Sequence, residues 1–395
     1  MPSACGLRYS TSMFSSRLPA PAINRLSGAI AARKARGEEL LDLTVSNPTA
    51  AGLAPDADRL AQAFGDSAPS MARYAPDPRG HRAAREIIAQ AFQLDADDLL
   101  LCSCSSEAYG MLFKLLCNPR DGVLVPRPSY PLFEQLTALE GVEAVPYRLH
   151  YDGAWRLDLA AIAQGLRSGC RAVLVVNPNN PTGSFIEADQ LCPLADLLAE
   201  HDAALIGDEV FFDYAIDAAA RTSVLDQQQA LAFSLGGLSK WAGLPQMKLS
   251  WIALGGSEAR RPEAMARLEL IADTYLCLST PVQAALSELL AIGAAQRAAI
   301  KKRIAENITA LSSALEAVGA VTLIPAQGGW TALLRVPALQ SEEELVVSLV
   351  QEAGVLVHPG YFFDFESEAI LVLSLLVEPS IFSEGLSRLL DRFRY

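Results

Sequence analysis

Three polar groups fall at the ends of three consecutive apolar runs. AVLVV (172–176) leads into Asn177-Pro178-Asn179-Asn180-Pro181-Thr182-Gly183. ALIG (204–207) leads into Asp208-Glu209-Val210-Phe211, and AFSLGG (232–237) into Leu238-Ser239-Lys240. Asn180 and Asp208 are 28 residues apart and Asp208 and Lys240 are 32, each close to one strand–helix–strand unit of roughly 30 residues. A carboxamide, a carboxylate and a primary amine would then meet at the carboxyl edge of one sheet, where open α/β sheets bind ligands. Taken singly, each has a plain structural explanation. NPNNPTG is a strong turn sequence, an Asp closing a strand commonly caps a helix, and a lysine after a Gly/Ser stretch is commonly solvated. Their shared order and spacing sets them apart.

The elements that must position these groups share one pattern. GVLVP (122–126), VEAVPY (142–147), AVLVV (172–176), ALIGD (204–208), AFSLG (232–236) and LSWIAL (249–254) are largely apolar and separated by helix-length stretches. That alternation predicts a parallel or mixed sheet covered on both faces. Ahead of it, residues 23–37 read as an amphipathic helix ending at Gly37, then the short apolar run 40–45, and a further helix near 82–93. Behind it come helical patterns at 258–275 and 280–316, apolar runs at 321–325, 354–360 and 370–376, and a terminal helix at 380–393. These late elements predict a second, smaller α+β domain.

The composition excludes several classes. With 32 Lys and Arg against 45 Asp and Glu the net charge is −13, the wrong sign for a nucleic-acid or anionic-membrane binder. Mean hydropathy is positive at +0.22, yet no uncharged apolar run reaches the roughly 18 residues of a membrane span, so the expectation is a soluble protein. Seven scattered cysteines without a CxxC pair read as reduced thiols in a cytoplasmic protein. The four histidines (81, 150, 201, 358) are too dispersed to suggest a metal site. Residues 1–12 read as an extension, with Met13 an alternative start.

Eight stretches together resemble the class I/II aminotransferases of the fold-type I pyridoxal phosphate (PLP) enzymes, over about residue 13 to the end. They are SNPT (46–49), YAPDPRGHRAAR (74–85), SSEAY (105–109) and PRPSYPLFE (126–134), followed by NPNNPTG (177–183), DEVFFDY (208–214), LSKWAGLPQMK (238–248) and VLVHPGYFFDF (355–365). The resemblance implies a large PLP-binding domain (50–280) with a mainly parallel seven-stranded sheet. A small domain would combine 13–49 with 281–395. Lys240 would form the Schiff base with the cofactor and move protons, and Asp208 would keep its pyridine nitrogen protonated. Asn180 would donate to the phenolic oxygen and Tyr130 would stack on the ring. Cys104, Ser105 and Ser106 at a helix start would hold the phosphate with Ser239 and Lys248. Tyr74 would reach the phosphate of the neighbouring subunit, implying a homodimer with shared active sites.

The implied activity is a two-half-reaction aminotransferase acting on an amino donor and a carbonyl acceptor. A PLP-dependent lyase or decarboxylase on the same fold is the alternative, and a non-catalytic PLP-binding effector domain is a third reading. Departures from the family pattern are a glycine replaced by Cys104, a tyrosine by Phe211, a serine by Gly237 and an arginine by Lys248. The largest is in Leu371-Val372-Leu373-Ser374, where Val372 takes the place of the arginine that binds a substrate carboxylate. Arg17 and Arg127 are the conceivable substitutes. His358-Pro359-Gly360-Tyr361 reads either as a pocket wall or as a strand-to-loop corner.

Overall fold

The computed structural model describes residues 15–17, 24–216, 221–276, 278–367 and 369–394. The reading of residues 1–12 as an extension lies outside them. The central element is an eight-stranded mixed sheet with the lateral order 99–102, 250–256, 231–237, 204–208, 172–176, 122–127, 143–151, 155–157. Gly122–Arg127, Glu143–Tyr151, Ala172–Val176, Ala204–Asp208 and Leu231–Gly237 run parallel to their neighbours in this series. Ser250–Gly256 is antiparallel to Leu231–Gly237, and Leu99–Cys102 to Ser250–Gly256. Seven strands form the body of the sheet. The eighth, Trp155–Leu157, is a three-residue antiparallel return on Glu143–Tyr151.

The central strands, such as Ala172–Val176, are apolar on successive residues because both faces are covered. Leu174, Ile206, Phe233 and Ile252 pack toward the helices Ser105–Leu116 and Arg261–Tyr275. The alternate residues Leu124, Val173, Val175 and Leu205 pack toward Leu159–Arg167 and Ala188–Glu200. Strand alternation therefore decides which helix each polar strand end meets. Asp208 shares its face with Ala204 and Ile206, so it is directed toward Ser105–Leu116.

A second, four-stranded antiparallel sheet has the order 322–324, 331–335, 370–374, 358–359. The strand Thr331–Arg335 is absent from the sequence expectation. It is short and sits between Gly328-Gly329-Trp330 and Val336-Pro337, with no helix-length spacer to mark it. The long helical pattern at 280–316 is two helices, Thr280–Ala284 and Leu286–Leu315. Leu41–Asp42 pairs in parallel with Val355–Leu356, tying the N-terminal segment to the C-terminal third. Leu371 and Leu373 face the main core of this half, while Ile370 and Val372 face Leu333 and Phe363. Among the described residues no helix is long and apolar enough to cross a membrane.

Candidate active site

Lys240 lies in the single helical turn Leu238–Trp241 that follows the strand Leu231–Gly237. The two glycines before it are set by a close neighbour strand. A Cβ on Gly236 would lie 2.3 Å from the Trp251 ring, and one on Gly237 would lie 2.4 Å from Ser250 Oγ. Ser250 therefore occupies the room a serine at 237 would need. Tyr214 Oη donates to the Lys240 carbonyl at 2.8 Å, fixing the turn. The Lys240 amine is covered by two rings, with Nζ 5.2 Å from the centroid of Trp330 and 5.5 Å from that of Phe211. Burial pushes its pKa down, and the Asp208 charge opposes this.

Asp208, 8% exposed, closes its strand. Tyr109 Oη donates to its Oδ2 at 2.6 Å and the Val210 N–H to its Oδ1 at 3.2 Å. Burial pushes the carboxyl pKa up; the two hydrogen bonds and Lys240 pull it down. Tyr109, 2% exposed on Ser105–Leu116, was inside a recognised stretch of sequence but had no role assigned there. Its pairing with Asp208 spans 99 residues and depends on which sheet face the helix covers. Trp330 was likewise not anticipated.

The turn after Ala172–Val176 divides its asparagines by task. Asn177 is bonded to Glu209 and to the Thr222 carbonyl. Asn179 Nδ2 donates to the Pro128 carbonyl and to Thr182, and its Oδ1 accepts from Ser129. Both are tied up in holding loops together. Asn180, by contrast, is half-buried on a cavity wall.

That cavity, about 340 Å³, lies between the two sheets and falls in the range of small-molecule sites. Lys240, Asp208, Asn180, Tyr130, Ser105 and Ser106 all line it. Tyr130 is 39% exposed. From the smaller sheet come Trp330, His358 and Val372, with Phe362 and Phe363 beside them. A larger hollow, about 770 Å³, lies behind Glu209 and is lined by Asp213, Arg221 and Arg297, with neither Lys240 nor Asp208 on its wall.

Four anticipated residues are not on the wall of the 340 Å³ cavity: Cys104, Ser239, Lys248 and Tyr74. Cys104 precedes the helix with φ −164° and ψ 164°, an extended conformation that needs no glycine, so its replacement leaves the loop backbone unstrained. Lys248, expected to help hold the phosphate, is exposed with φ +50°. The following Leu249 is fully buried and takes the inward direction as the chain enters Ser250–Gly256. Tyr74 is 82% exposed.

His358-Pro359-Gly360-Tyr361 does both things expected of it. His358 lines the cavity, while a Cβ on Gly360 would come 2.9 Å from Ile370 Cβ, so the corner requires glycine. Tyr361 is not on the wall. Neither substitute arginine reaches the cavity. Arg127 is paired with Glu134 and, at 3.3 Å, with Asp364, and Arg17 Nη1 donates to the Leu139 carbonyl. Among the described residues no group of three or more His, Cys, Asp or Glu is placed to hold a metal.

An amine made less basic by burial, a buried carboxylate on the same wall and a helix start with two hydroxyls define an α/β enzyme site for carbonyl and amine chemistry. Comparison with known proteins agrees. The family described as aminotransferase class I and II matches residues 38–373. The chain is 27% identical over 351 residues to an alanine aminotransferase of Mycobacterium bovis, covering 84% of this chain and 80% of that one. It is 26% identical over 351 residues to a glutamate-pyruvate aminotransferase of Haemophilus influenzae, covering 84% and 85%. An alanine aminotransferase structure from Pyrococcus furiosus superposes with a TM-score of 0.83 at 21% identity, covering 94% of this chain and 99% of that one. The chain belongs to the class I and II aminotransferase family and is a transaminase with the aspartate aminotransferase-like fold.

Proposed function

We propose that Lys240 binds pyridoxal 5′-phosphate covalently and that the protein passes an amino group from an amino donor to a carbonyl acceptor in two half-reactions. The observation that carries this reading is the buried Lys240 amine sharing one cavity with the buried Asp208 carboxylate. When bound, the cofactor supplies an aldehyde and an electron-accepting ring. The chain supplies the rest. Lys240, less basic than a free lysine, is suited to attachment and to moving a proton to and from the donor's reacting carbon.

Asp208 holds a proton on the ring nitrogen, and the Tyr109 and Val210 hydrogen bonds favour its charged form against burial. Asn180 donates to the ring oxygen and Tyr130 offers its face to the ring. Ser105 and Ser106 meet the phosphate at the helix N-terminus, with Cys104, Ser239 and Lys248 as outer members of that shell. The exposed ring of Tyr74 supports a homodimer in which it reaches the other subunit's site. The domain division at 50–280 against 13–49 with 281–395 belongs to the same reading. The free thiols of Cys104, Cys117, Cys170 and Cys192 support a cytoplasmic location.

Borohydride reduction of the purified protein should leave a phosphopyridoxyl mass on the peptide carrying Lys240. A protein without the near-visible absorbance of lysine-bound cofactor, or a Lys240→Ala variant that retains it, sinks the proposal. Ammonia release without any carbonyl acceptor would count against amino transfer.

A further inference from the structure

We infer that the amino donor of this cavity is a primary amine with no carboxylate on its amine-bearing carbon. The inference rests on the reading of Lys240 given above and names its substrate class. Its basis is a count of charges and free donors on the cavity wall. Among the described residues the wall carries one cation, Lys240, which the chemistry itself uses, and one anion, Asp208, and no arginine lines it. At the position opposite His358 and Leu333 in the smaller sheet stands Val372, 1% exposed.

Five of the neutral donors nearby are already committed, and the buried Trp330 indole N–H, which has no partner, brings a dipole rather than a charge. Ser374 Oγ donates to the Val45 carbonyl at 2.6 Å, Thr331 Oγ1 to the Pro181 carbonyl at 2.8 Å, and Thr44 Oγ1 to Asp42 at 2.5 Å. Asn179 and Tyr109 are bonded as described above. His358 lies among Phe362 and Phe363, with ring centroids 5.9 and 5.8 Å away, and its burial lowers its pKa, so at neutral pH it carries no charge to offer. A carboxylate entering this side would lose its water without a cation to meet it. An apolar substituent would meet Trp330, Phe362, Phe363 and Val372.

The overall exchange balances without any further reagent. The donor R–CH2–NH3+ gives up its amino group and one carbon-bound hydrogen with the bonding electrons, takes the oxygen of one water, and leaves as the aldehyde R–CHO. A carbonyl acceptor takes the amino group, the electron pair and the proton, releases its oxygen as water, and leaves as the amine, so the water used in the first half is returned in the second.

The test uses pairs of donors that differ only in the carboxylate: ethylamine with L-alanine, and phenethylamine with L-phenylalanine. In the first assay each is mixed with the holoenzyme, and the rate at which the absorbance of lysine-bound cofactor is lost is recorded. In the second, the reduced phosphopyridoxyl adduct of each donor is titrated into cofactor-free full-length protein to obtain a Kd. The carboxylate-free member should react faster and its adduct should bind more tightly, by roughly tenfold to a hundredfold, the scale of one unpaired charged group. Equal values, or an advantage for the amino acids in either assay, overturn the inference and leave the Lys240 proposal standing. If the protein binds neither the cofactor nor any adduct, the Lys240 proposal itself has failed.

Discussion

Tyr109→Phe is the most informative single change, because it removes one oxygen from a packed ring and alters one charge. The ring contacts of Tyr109 with Phe133 and Phe113, at centroid distances of 5.6 and 6.0 Å, survive in phenylalanine, so no large void opens. What disappears is the 2.6 Å hydrogen bond to Asp208. A hydrogen bond to a charged group contributes about 1.5–3 kcal/mol. Where that loss falls on the ionised form, it raises the Asp208 pKa further. The sign of the pH dependence follows. Burial already lifts the folded-state pKa of Asp208 above its ordinary value, so the stability tied to its proton is fully present below about pH 4. That stability is lost as pH rises through the folded-state value. Phenylalanine moves that value further up, so the loss extends over a wider range. The variant should match the wild type in acid and show its full deficit near neutrality. Urea unfolding of the cofactor-free protein at a series of pH values measures this. The acid limb of the transamination rate should shift upward in parallel. A deficit of the same size at every pH, or no deficit at all, would refute the assignment of Tyr109 as the group that holds Asp208 ionised.

Gly237→Ser should destabilise the fold by about 1–3 kcal/mol through collision with Ser250 Oγ, and adding Ser250→Gly should recover most of the loss in thermal melts. Val372→Arg should lower the melting temperature of the free protein, since it buries a charge without a partner. Carboxylated phosphopyridoxyl adducts should restore that stability more than carboxylate-free ones do; equal restoration would show that position 372 does not meet the substrate. Trp330→Ala should cost about 3–5 kcal/mol. By uncovering Lys240 it should also raise the amine's pKa, so that labelling of the cofactor-free protein by an amine-selective reagent requires a higher pH. Labelling at unchanged pH would show that other groups desolvate the amine.

The parts of this molecule that sequence could reach are those where one residue's neighbours in the chain determine its place. Strands such as Ala172–Val176 and Ala204–Asp208 are apolar on both faces, and the helix-length spacers between them allow few other arrangements. Lys240, Asp208 and Asn180 follow, because each ends a strand at the same edge. Tyr109 and Trp330 were out of reach, since their roles come from contacts between distant segments. Lys248 shows a different limit: its spacing from Lys240 matches a family position, while its exposure beside the buried Leu249 is a property of the folded chain. The meaning of Gly237 was equally hidden until Ser250, on the adjoining strand, was seen to fill the space beside it.

The chemistry and the proposed selectivity reside in separate pieces of the structure, and this is what allows one to change without the other. Lys240, Asp208 and Asn180 are carried by the carboxyl edge of the large sheet. Val372 is carried by the smaller sheet, on a strand whose register is held by five backbone pairings with Thr331–Arg335. Leu371 and Leu373, on the other face of that strand, are fully buried in a different core. The strand is therefore anchored independently of what stands at 372, and a side chain there can alternate between cation and hydrocarbon without moving the lysine edge. An arginine on this face would need a counter-charge or a charged ligand to offset its lost hydration. The neighbours present, Leu333 in register and Phe363 packed beside it, offer neither, whereas valine joins them as a continuous apolar surface.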